Sequence, residues 1–575
     1  MKSLVNKLGE KYTKIVEKRP FVESIITISY TMIFALIVVL TSKLLVGEKI
    51  ELMPNEVESS YYLGNYDNAL EEYSKKESDK KWPIWTVKRA EIYSLKGEKA
   101  LSNSLLEKAY RQRNDLIEKK GKAKFKEEDK KLGNYITFTY LMNGEYEKAE
   151  QYGEDFLKTD SDNEKLKKTI ISVYLAKGEK EKAKNILKDI KLEDTAYDIS
   201  IFANLNLILD NNEEIYKLLK KSFEKDNNDI RLLDVIDQIT ECKEEDIIRQ
   251  FENHYNEDKN SDMNKIFISR IYSADESKLE EANNILDSVS DEIKDCLLVH
   301  AIKIDINKKL NKDYKDNIEY LKEEFEDNYG ANYIIAEDYL KDENFEKTIE
   351  YGMKCLKLNG EYSKVYGELF NNMLIKQNNI EAIPSYLRRS MYYEPFNYNI
   401  IENTAKFYDE SKQDIETAYD YYKLASKIEE KRANNYYNMA VINIKKEDDK
   451  SAIENLEHLV SVDNSNDDYY NLLGAYYLKH NNMDKAIENL KKAYNINKNN
   501  IKVLNNAAIY YAIHVEDIGR AYENIKSAEE LKGGLEELLI KSSIKSNYDT
   551  IKSANEQLED GNYKKIDISQ VEILY

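Results

Sequence analysis

The strongest constraint on this chain is a pattern that recurs every 34 residues. Residues 469–500, YYNLLGAYYLKHNNMDKAIENLKKAYNINKNN, place three small residues, Gly474, Ala486 and Ala493, among large tyrosines and leucines. A shift of 34 residues again brings small residues to these positions: Ala440 and Ala452 in one direction, and Ala508, Ala521 and Ala528 in the other, the last two after a one-residue insertion. A fixed period between about twenty and fifty residues indicates an array of structural repeats.

The apolar residues of one period predict two helices. They fall on one face of each helix: Tyr470, Leu473 and Tyr477 on the first, and Ala486, Ile487, Leu490 and Ala493 on the second. Small side chains let two helix axes approach to roughly 8–10 Å. We therefore expect Gly474 and Ala486 at the crossing within a hairpin, and Ala493 at the contact with the next hairpin.

This pattern resembles the tetratricopeptide (TPR) repeat. The residues that carry the resemblance are Tyr470, Leu473, Gly474, Tyr477, Ala486, Leu490 and Ala493. Two positions differ from the family pattern, because Tyr470 stands where tryptophan is usual and Lys498 replaces the closing proline. The best-defined repeats are 433–466, 467–500 and 501–532. The resemblance implies an all-α fold, a right-handed TPR-type α-solenoid of helical hairpins.

Weaker copies of the pattern extend the predicted solenoid over residues 47–575. Segments around Ala69 and Ala149 keep the family spacing, whereas the signature is degenerate between 195 and 335. An insertion at about 111–132 lengthens one period, and its residues 111–126 carry seven basic and two acidic side chains. That insertion is either an extended solvated helix end or a docking point for an anionic surface. Degenerate copies included, we expect about 13–15 hairpins, each contacting mainly its neighbours.

The first 46 residues lack the repeat pattern and include a long uncharged, apolar stretch. Residues 24–42, SIITISYTMIFALIVVLTS, contain no charged side chain over 19 positions. Because about 20 apolar residues span the hydrocarbon layer of a membrane, we predict a single transmembrane helix within residues 21–46. A buried core helix is one alternative, although no predicted hairpin is so uniformly apolar. A cleaved signal peptide is the other, but its apolar region should be shorter and end at a small-residue cleavage site.

Positive charges on either side of this segment predict its orientation. Residues 1–20 contain six basic side chains, Lys2, Lys7, Lys11, Lys14, Lys18 and Arg19, whereas only Lys43 and Lys49 follow closely. The positive-inside rule then keeps the N-terminus cytoplasmic and places the repeats outside the cytoplasm. Residues 1–20 form either a basic amphipathic helix on the anionic inner leaflet or a solvated tail.

The charge balance argues against nucleic acid as a partner. Residues 1–45 carry a net charge of +4, which leaves −25 on the remainder of a chain whose net charge is −21. An acidic solenoid repels the phosphate backbone.

Chemistry-bearing motifs are missing from the sequence. The five histidines and three cysteines are widely separated, and no HExxH pair, glycine-rich phosphate loop or GxSxG motif occurs. We therefore predict no catalytic residue, no metal site and no cofactor, and we do not expect a small-molecule ligand. A third hypothesis is an enzyme or enzyme subunit with a degenerate site in residues 195–335.

Recognition is the remaining function, and the TPR resemblance implies a peptide-binding groove lined by the first helix of each hairpin. By register, the groove candidates are Tyr437, Asn438 and Val441, then Asn471, Ala475 and Leu478, then Asn505, Ile509 and Ala512. A carboxamide both donates and accepts hydrogen bonds, so Asn438, Asn471 and Asn505 could pair with the backbone of a peptide of any sequence. The alternative is that asparagine is simply abundant in this chain.

Two functions fit these features. The first is a membrane-anchored TPR scaffold for protein–protein interaction, in cell-envelope assembly, secretion or polysaccharide export, where anchored proteins of this family often serve. The second is an extracytoplasmic sensor or receptor for a peptide or glycan.

Overall fold

The computed structural model describes residues 56–80, 82–120, 126–532, 538–562 and 564–575. All regular secondary structure in these ranges is helical. The predicted segments 1–20 and 21–46 lie outside the described residues. Within the described ranges, no helix combines the length and the apolar character needed to cross a membrane.

Twenty-nine α-helices occur in the described ranges, and the first 28 form 14 hairpins. The N-terminal helices are α1 (Glu56–Tyr62), α2 (Tyr66–Lys80), α3 (Pro83–Leu95), α4 (Lys99–Lys120), α5 (Lys126–Met142), α6 (Tyr146–Thr159), α7 (Glu164–Ala176), α8 (Lys180–Lys188), α9 (Ala196–Ile208) and α10 (Asn212–Lys225). The middle helices are α11 (Arg231–Glu241), α12 (Glu245–Glu257), α13 (Asp262–Tyr272), α14 (Leu279–Asp287), α15 (Leu297–Lys309), α16 (Lys315–Glu324), α17 (Tyr329–Lys341), α18 (Phe345–Leu358), α19 (Asn371–Lys376) and α20 (Ile383–Tyr393). The C-terminal helices are α21 (Tyr398–Lys406), α22 (Ile415–Ile428), α23 (Ala433–Lys445), α24 (Asp449–Val462), α25 (Asp467–Lys479), α26 (Met483–Ile496), α27 (Ile501–Tyr510), α28 (Ile518–Leu531) and α29 (Leu538–Glu559).

A residue in the left-handed conformation marks the turn of 13 of these 14 hairpins. These residues are Gly64, Gly97, Gly144, Gly178, Asp210, Lys243, Asn311, Glu343, Asn378, Gln413, Glu447, Asn481 and Glu516. At Asn481 the conformation turns two amides back onto the first helix, Asn481 N–H to Leu478 O at 3.2 Å and Asn482 N–H to Tyr477 O at 2.9 Å. These bonds satisfy carbonyls that the helix end would otherwise leave unpaired. The turn therefore repeats even where the TPR signature decays.

Gly474 lies at a close contact within its hairpin, as the sequence predicts, although the residue that it meets is Leu490 and not Ala486. A Cβ added to Gly474 would lie 3.0 Å from Leu490 Cγ and 3.2 Å from the Leu490 backbone nitrogen, so α25 and α26 touch at this point. Ala493 is buried and clusters with Val503 of the next hairpin. The one-residue insertion that follows Ala508 is absorbed by a π-helical turn, Tyr511–Val515, at the end of α27.

The array does not remain an extended stack. We expected each hairpin to contact mainly its neighbours, yet α20 packs against the first hairpins of the chain. Ser385 Oγ donates to the Tyr61 carbonyl oxygen at 2.6 Å, although the two residues are 324 positions apart. Arg388 donates to Ser94 Oγ at 3.0 Å. Neighbouring hairpins still make most of the contacts, as expected, and this part of the solenoid adds long-range contacts that the expectation did not include.

The physical reason is that the concave faces of the early hairpins are apolar and aromatic. The rings of Tyr135 and Tyr392 stack with centroids 4.1 Å apart, and Phe138 meets Tyr392 edge-on. Arg389 donates to the Tyr135 hydroxyl at 2.7 Å. Covering such a face removes apolar surface from water, which is favourable by roughly 25 cal/mol per Å².

Buried ion pairs also join parts of the chain that are far apart in sequence. Arg231 donates to Glu394 Oε2 at 2.9 Å, and both side chains are almost fully buried. Lys364 lies 3.0 Å from Asp234 Oδ1. Because removing one partner of a buried ion pair leaves an uncompensated charge, these pairs fix how the two parts of the chain meet.

The buried apolar side chains of the described residues form two large clusters and two small ones. One hydrophobic cluster includes side chains from Val87 to Ile442, and a second includes side chains from Ala440 to Leu574. Helix α23 therefore contributes to both large clusters, and side chains from α24 onward contribute to the second.

The left-handed turn residues give a local stability prediction. We expect Gly144→Ala to destabilise the α5–α6 hairpin by about 1 kcal/mol, because an alanine strains the left-handed backbone. Its new Cβ would meet no atom within 4 Å, so backbone conformation is the only change. Glu447→Gly should stabilise the α23–α24 hairpin by a similar amount. Hydrogen exchange of the amides in each hairpin measures both effects.

Gly519→Ala is the matched control, since Gly519 lies inside α28 and has no left-handed φ. This substitution should be neutral or stabilising. A loss of stability equal to that of Gly144→Ala would contradict the conformational explanation.

Candidate functional site: a groove filled by the C-terminal segment

The candidate site is the face formed by the first helices α25 and α27 together with α29. After α29, Gly561 adopts a left-handed conformation with φ +75°. Residues 564–575, here called the tail, then run back along this face. Within the tail, a short 3₁₀ turn, Ile568–Gln570, precedes Val571, whose φ and ψ of −131° and 154° are extended.

Asn506 pairs with both polar backbone groups of Leu574. Its Nδ2 donates to the Leu574 carbonyl oxygen at 2.6 Å, and its Oδ1 accepts from the Leu574 N–H at 2.9 Å. Both residues are buried. A carboxamide here replaces the neighbouring strand that would normally satisfy an extended backbone.

Asn547 repeats this arrangement two residues earlier in the tail. Its Nδ2 donates to the Glu572 carbonyl oxygen at 2.8 Å, and its Oδ1 accepts from the Glu572 N–H at 2.8 Å. Residues two apart in an extended segment direct their backbone groups to the same side. The spacing of the two clamps therefore fits an extended peptide.

Asn471 and Asn505 complete the asparagine ladder, which we define as Asn471, Asn505, Asn506 and Asn547. Asn471 Nδ2 donates to the Leu574 carbonyl oxygen at 3.2 Å, and Asn505 Nδ2 donates to the Glu572 carbonyl oxygen at 3.1 Å.

The ladder side chains also bond to one another. Asn506 donates to Asn471 Oδ1 at 2.9 Å, and Asn547 donates to Asn505 Oδ1 at 2.8 Å. These bonds orient the amides toward the tail. Six hydrogen bonds thus join the ladder to the tail backbone.

Side chains of the tail add a second kind of contact. Ser543 Oγ donates to Glu572 Oε2 at 2.6 Å. Leu574 is 6% exposed and belongs to the same hydrophobic cluster as Leu478 and Ile509. The ladder contacts are independent of tail sequence, whereas these two contacts depend on it.

The predicted groove residues divide into three groups. Asn471 and Asn505 contact the tail backbone. Ala475, Leu478, Ile509 and Ala512 are buried beside or beneath it. Tyr437, Asn438 and Val441 lie on α23, the first helix of the preceding hairpin, where Tyr437 is 39% exposed and the other two are half-buried.

Sequence reasoning missed three contributors, Asn506, Asn547 and Ser543. Asn506 stands 68 positions after Asn438, which is two periods, so the register already contained a signal for it. Asn547 and Ser543 lie on α29, outside the three best-defined repeats. The tail itself carries no repeat signature, and its place in the groove could not be inferred from the pattern.

The same concave face carries charge farther toward the N-terminus. Asp237, Asp305 and Glu337 each lie six residues before a left-handed turn residue and surround a cavity of about 130 Å³. Arg270 pairs with Asp237 at 2.6 Å and with Asp305 at 2.8 Å. Burial raises the pKa of Glu337 and, next to it, raises the pKa of Glu368 to about 7. This region therefore presents buried carboxyl groups and the cations beside them, and not the carboxamides of the ladder.

The fold and the site together define a solenoid of helical hairpins whose C-terminal groove holds an extended segment. No family model matches the chain, and no curated protein matches it. The TPR-type description of the fold therefore follows from the hairpins themselves.

Solved structures similar to the chain include several repeat proteins. YrrB, described as a TPR protein with an unusual peptide-binding site, is 16% identical over 34% of this chain and 97% of its own, with a TM-score of 0.29. PilF of Pseudomonas aeruginosa is 15% identical over 39% of this chain and 96% of its own, with a TM-score of 0.30. Yeast Tom70 is 14% identical over 88% of this chain and 96% of its own, also with a TM-score of 0.30. Similarities at this level carry no argument about function.

The ladder predicts how strongly the tail is held. Asn506→Ala removes both bonds to Leu574 that this amide makes, and a lost buried partner costs about 1–3 kcal/mol. Exchange of the tail amides should therefore accelerate roughly 5- to 150-fold. Hydrogen exchange of the C-terminal peptide, measured by mass spectrometry, tests this expectation.

Asn524→Ala provides the control, because Asn524 bonds only to its own helix, at the Arg520 carbonyl oxygen. Exchange in the tail should not change in this variant. If both variants left the tail equally protected, the ladder would not be what holds it.

Proposed function

We propose that this chain is a scaffold that binds an extended segment of a partner protein in the groove formed by α23, α25, α27 and α29. One observation carries the proposal: buried carboxamides pair with the N–H and C=O groups of an extended backbone. Such pairing supplies affinity without requiring a particular peptide sequence. The open end of the groove, at Tyr437, Asn438 and Val441, is where we expect a partner to make first contact.

The tail supports this proposal as an internal example of a ligand. It satisfies two successive pairs of backbone groups and buries Leu574. A partner segment of matching shape would find the same donors and acceptors already oriented by the contacts within the ladder. Preorganised groups of this kind reduce the entropy lost on binding.

Photo-crosslinking tests the scaffold proposal. A benzoyl-phenylalanine at position 437 of the full chain, expressed in its native cells, should form discrete adducts with partner proteins. Asn471→Ala with Asn505→Ala should reduce those adducts several-fold, because half of the ladder is lost.

The control places the same photo-reactive group at Lys450, whose side chain is 87% exposed on α24. Adducts there should be few and insensitive to the two substitutions. The scaffold proposal fails if positions 437 and 450 capture the same proteins, or if the double substitution changes nothing.

We further propose that residues 21–46 anchor the chain in the cell membrane as a single pass, with the N-terminus in the cytoplasm and the solenoid outside it. The support is the uncharged stretch 24–42 and the excess of basic residues before it. In this arrangement the partners are envelope or exported proteins, which fits a role in cell-envelope assembly, secretion or polysaccharide export.

Cysteine labelling on intact cells tests this topology. Lys450→Cys should react with a membrane-impermeant maleimide without permeabilisation, whereas Lys2→Cys should react only after it. The native thiols give a low background, because Cys296 and Cys355 are buried and burial raises the pKa of Cys242 to about 12. Reaction of Lys450→Cys only after permeabilisation would show that the solenoid lies in the cytoplasm. Recovery of the chain in the fraction without membranes would show that residues 21–46 do not anchor it.

A further inference from the structure

The tail is bound by contacts of two kinds, and together they describe a ligand. We propose that the partner of this groove is an extended segment with a carboxylate side chain two residues before an aliphatic one, and that the tail of this chain competes with it in cis. This inference rests on the proposed scaffold function and specifies the chemistry and the regulation of the same groove.

The carboxylate requirement comes from Ser543. Its hydroxyl donates to Glu572 Oε2 at 2.6 Å, and hydrogen bonds to an ionised acceptor are roughly twice as strong as neutral ones. A neutral oxygen acceptor or a lysine at this place would lose the charge-assisted bond, although Ser543 Oγ could still donate to the Leu539 carbonyl oxygen at 3.0 Å and accept from a lysine. The groove should therefore prefer a carboxylate and bind either substitute more weakly.

The aliphatic requirement comes from the site of Leu574. This side chain is 6% exposed and shares a cluster with Leu478, Ile509 and Ala512. A charged side chain in that cluster would be buried without a partner, which is strongly unfavourable. Because residues two apart face the same way in an extended segment, both requirements are met by one side of the ligand.

Competition follows from the covalent connection between tail and groove. The tail begins only a few residues after α29, whose Asn547 and Ser543 hold it, so its effective concentration at the groove is on the order of millimolar. A partner must exceed that concentration or form contacts that the tail does not. Tyr437, which is 39% exposed on α23, supplies such a contact beside the half-buried Asn438 and Val441, so a longer segment can bind there first and then displace the tail.

A labelled synthetic peptide of residues 564–575, KKIDISQVEILY, is the probe. It is titrated against the full-length wild-type chain and against full-length Leu574→Asp, whose own tail should leave the groove. The probe should bind Leu574→Asp roughly 10- to 100-fold more tightly than wild type, because the tethered competitor is gone. A chain that ends after Asn562 gives the same comparison if the substitution impairs folding.

Substituted probes and a groove variant test the ligand chemistry. Probes with Glu572→Gln or Glu572→Lys should bind a few-fold more weakly, whereas a probe with Leu574→Asp should lose most binding. Adding Asn506→Ala and Asn547→Ala to the Leu574→Asp chain should abolish binding of the unmodified probe. Hydrogen exchange of the tail verifies that Leu574→Asp has released it.

The outcomes separate this inference from the scaffold proposal. Equal affinity of wild type and Leu574→Asp for the probe would show that the tail does not compete, and would overturn the inference. The inference would also fall if the released groove did not bind the probe, or bound the Glu572→Lys probe equally well. In each of these cases, partner adducts at position 437 could still support the scaffold, whereas competition without any partner adducts would refute the scaffold alone.

Discussion

A helical hairpin with two apolar faces cannot bury both of them by itself, and the rest of this structure follows from that constraint. Stacking buries one set of faces, and the close contact of Gly474 with Leu490 shows how tightly the two helices of a hairpin meet. Stacking leaves the concave faces exposed to water. The chain covers them in two ways: α20 packs over the N-terminal hairpins, and the tail packs over α25 and α27.

These two solutions differ in chemistry, and the difference separates the rigid part of the molecule from the part suited to binding. Closure uses stacked aromatic rings such as Tyr135 and Tyr392 together with buried ion pairs such as Arg231 and Glu394. Breaking either contact would expose apolar surface or strand a buried charge. The tail combines the packing of Ile566 and Leu574 on the second hydrophobic cluster with amide-to-backbone hydrogen bonds, whose net contribution is about 0.5–1.5 kcal/mol each because water can replace them. A surface that exchanges one extended segment for another needs amide-to-backbone hydrogen bonds of this kind.

The candidate site was predictable in part. Register placed Asn471 and Asn505 on the groove-facing side of their helices, because every period of 34 residues returns to the same face. The same argument reaches Asn506 from Asn438, which stands two periods earlier. Asn547 and Ser543 could not be found in this way, since α29 stands outside the regular period. Whether Asn438 and its neighbours bind a partner remains a prediction.

The sequence by itself determined the repeating hairpin, its close contacts at small residues and the faces on which the asparagines lie, because these features depend on contacts between residues near one another in the chain. Tertiary structure alone decided that α20 would meet the first hairpins, more than 300 residues away, and that the tail would occupy the groove. Contacts of that range depend on the accumulated curvature of the whole array and on which surfaces remain uncovered. No local pattern in the sequence encodes either quantity.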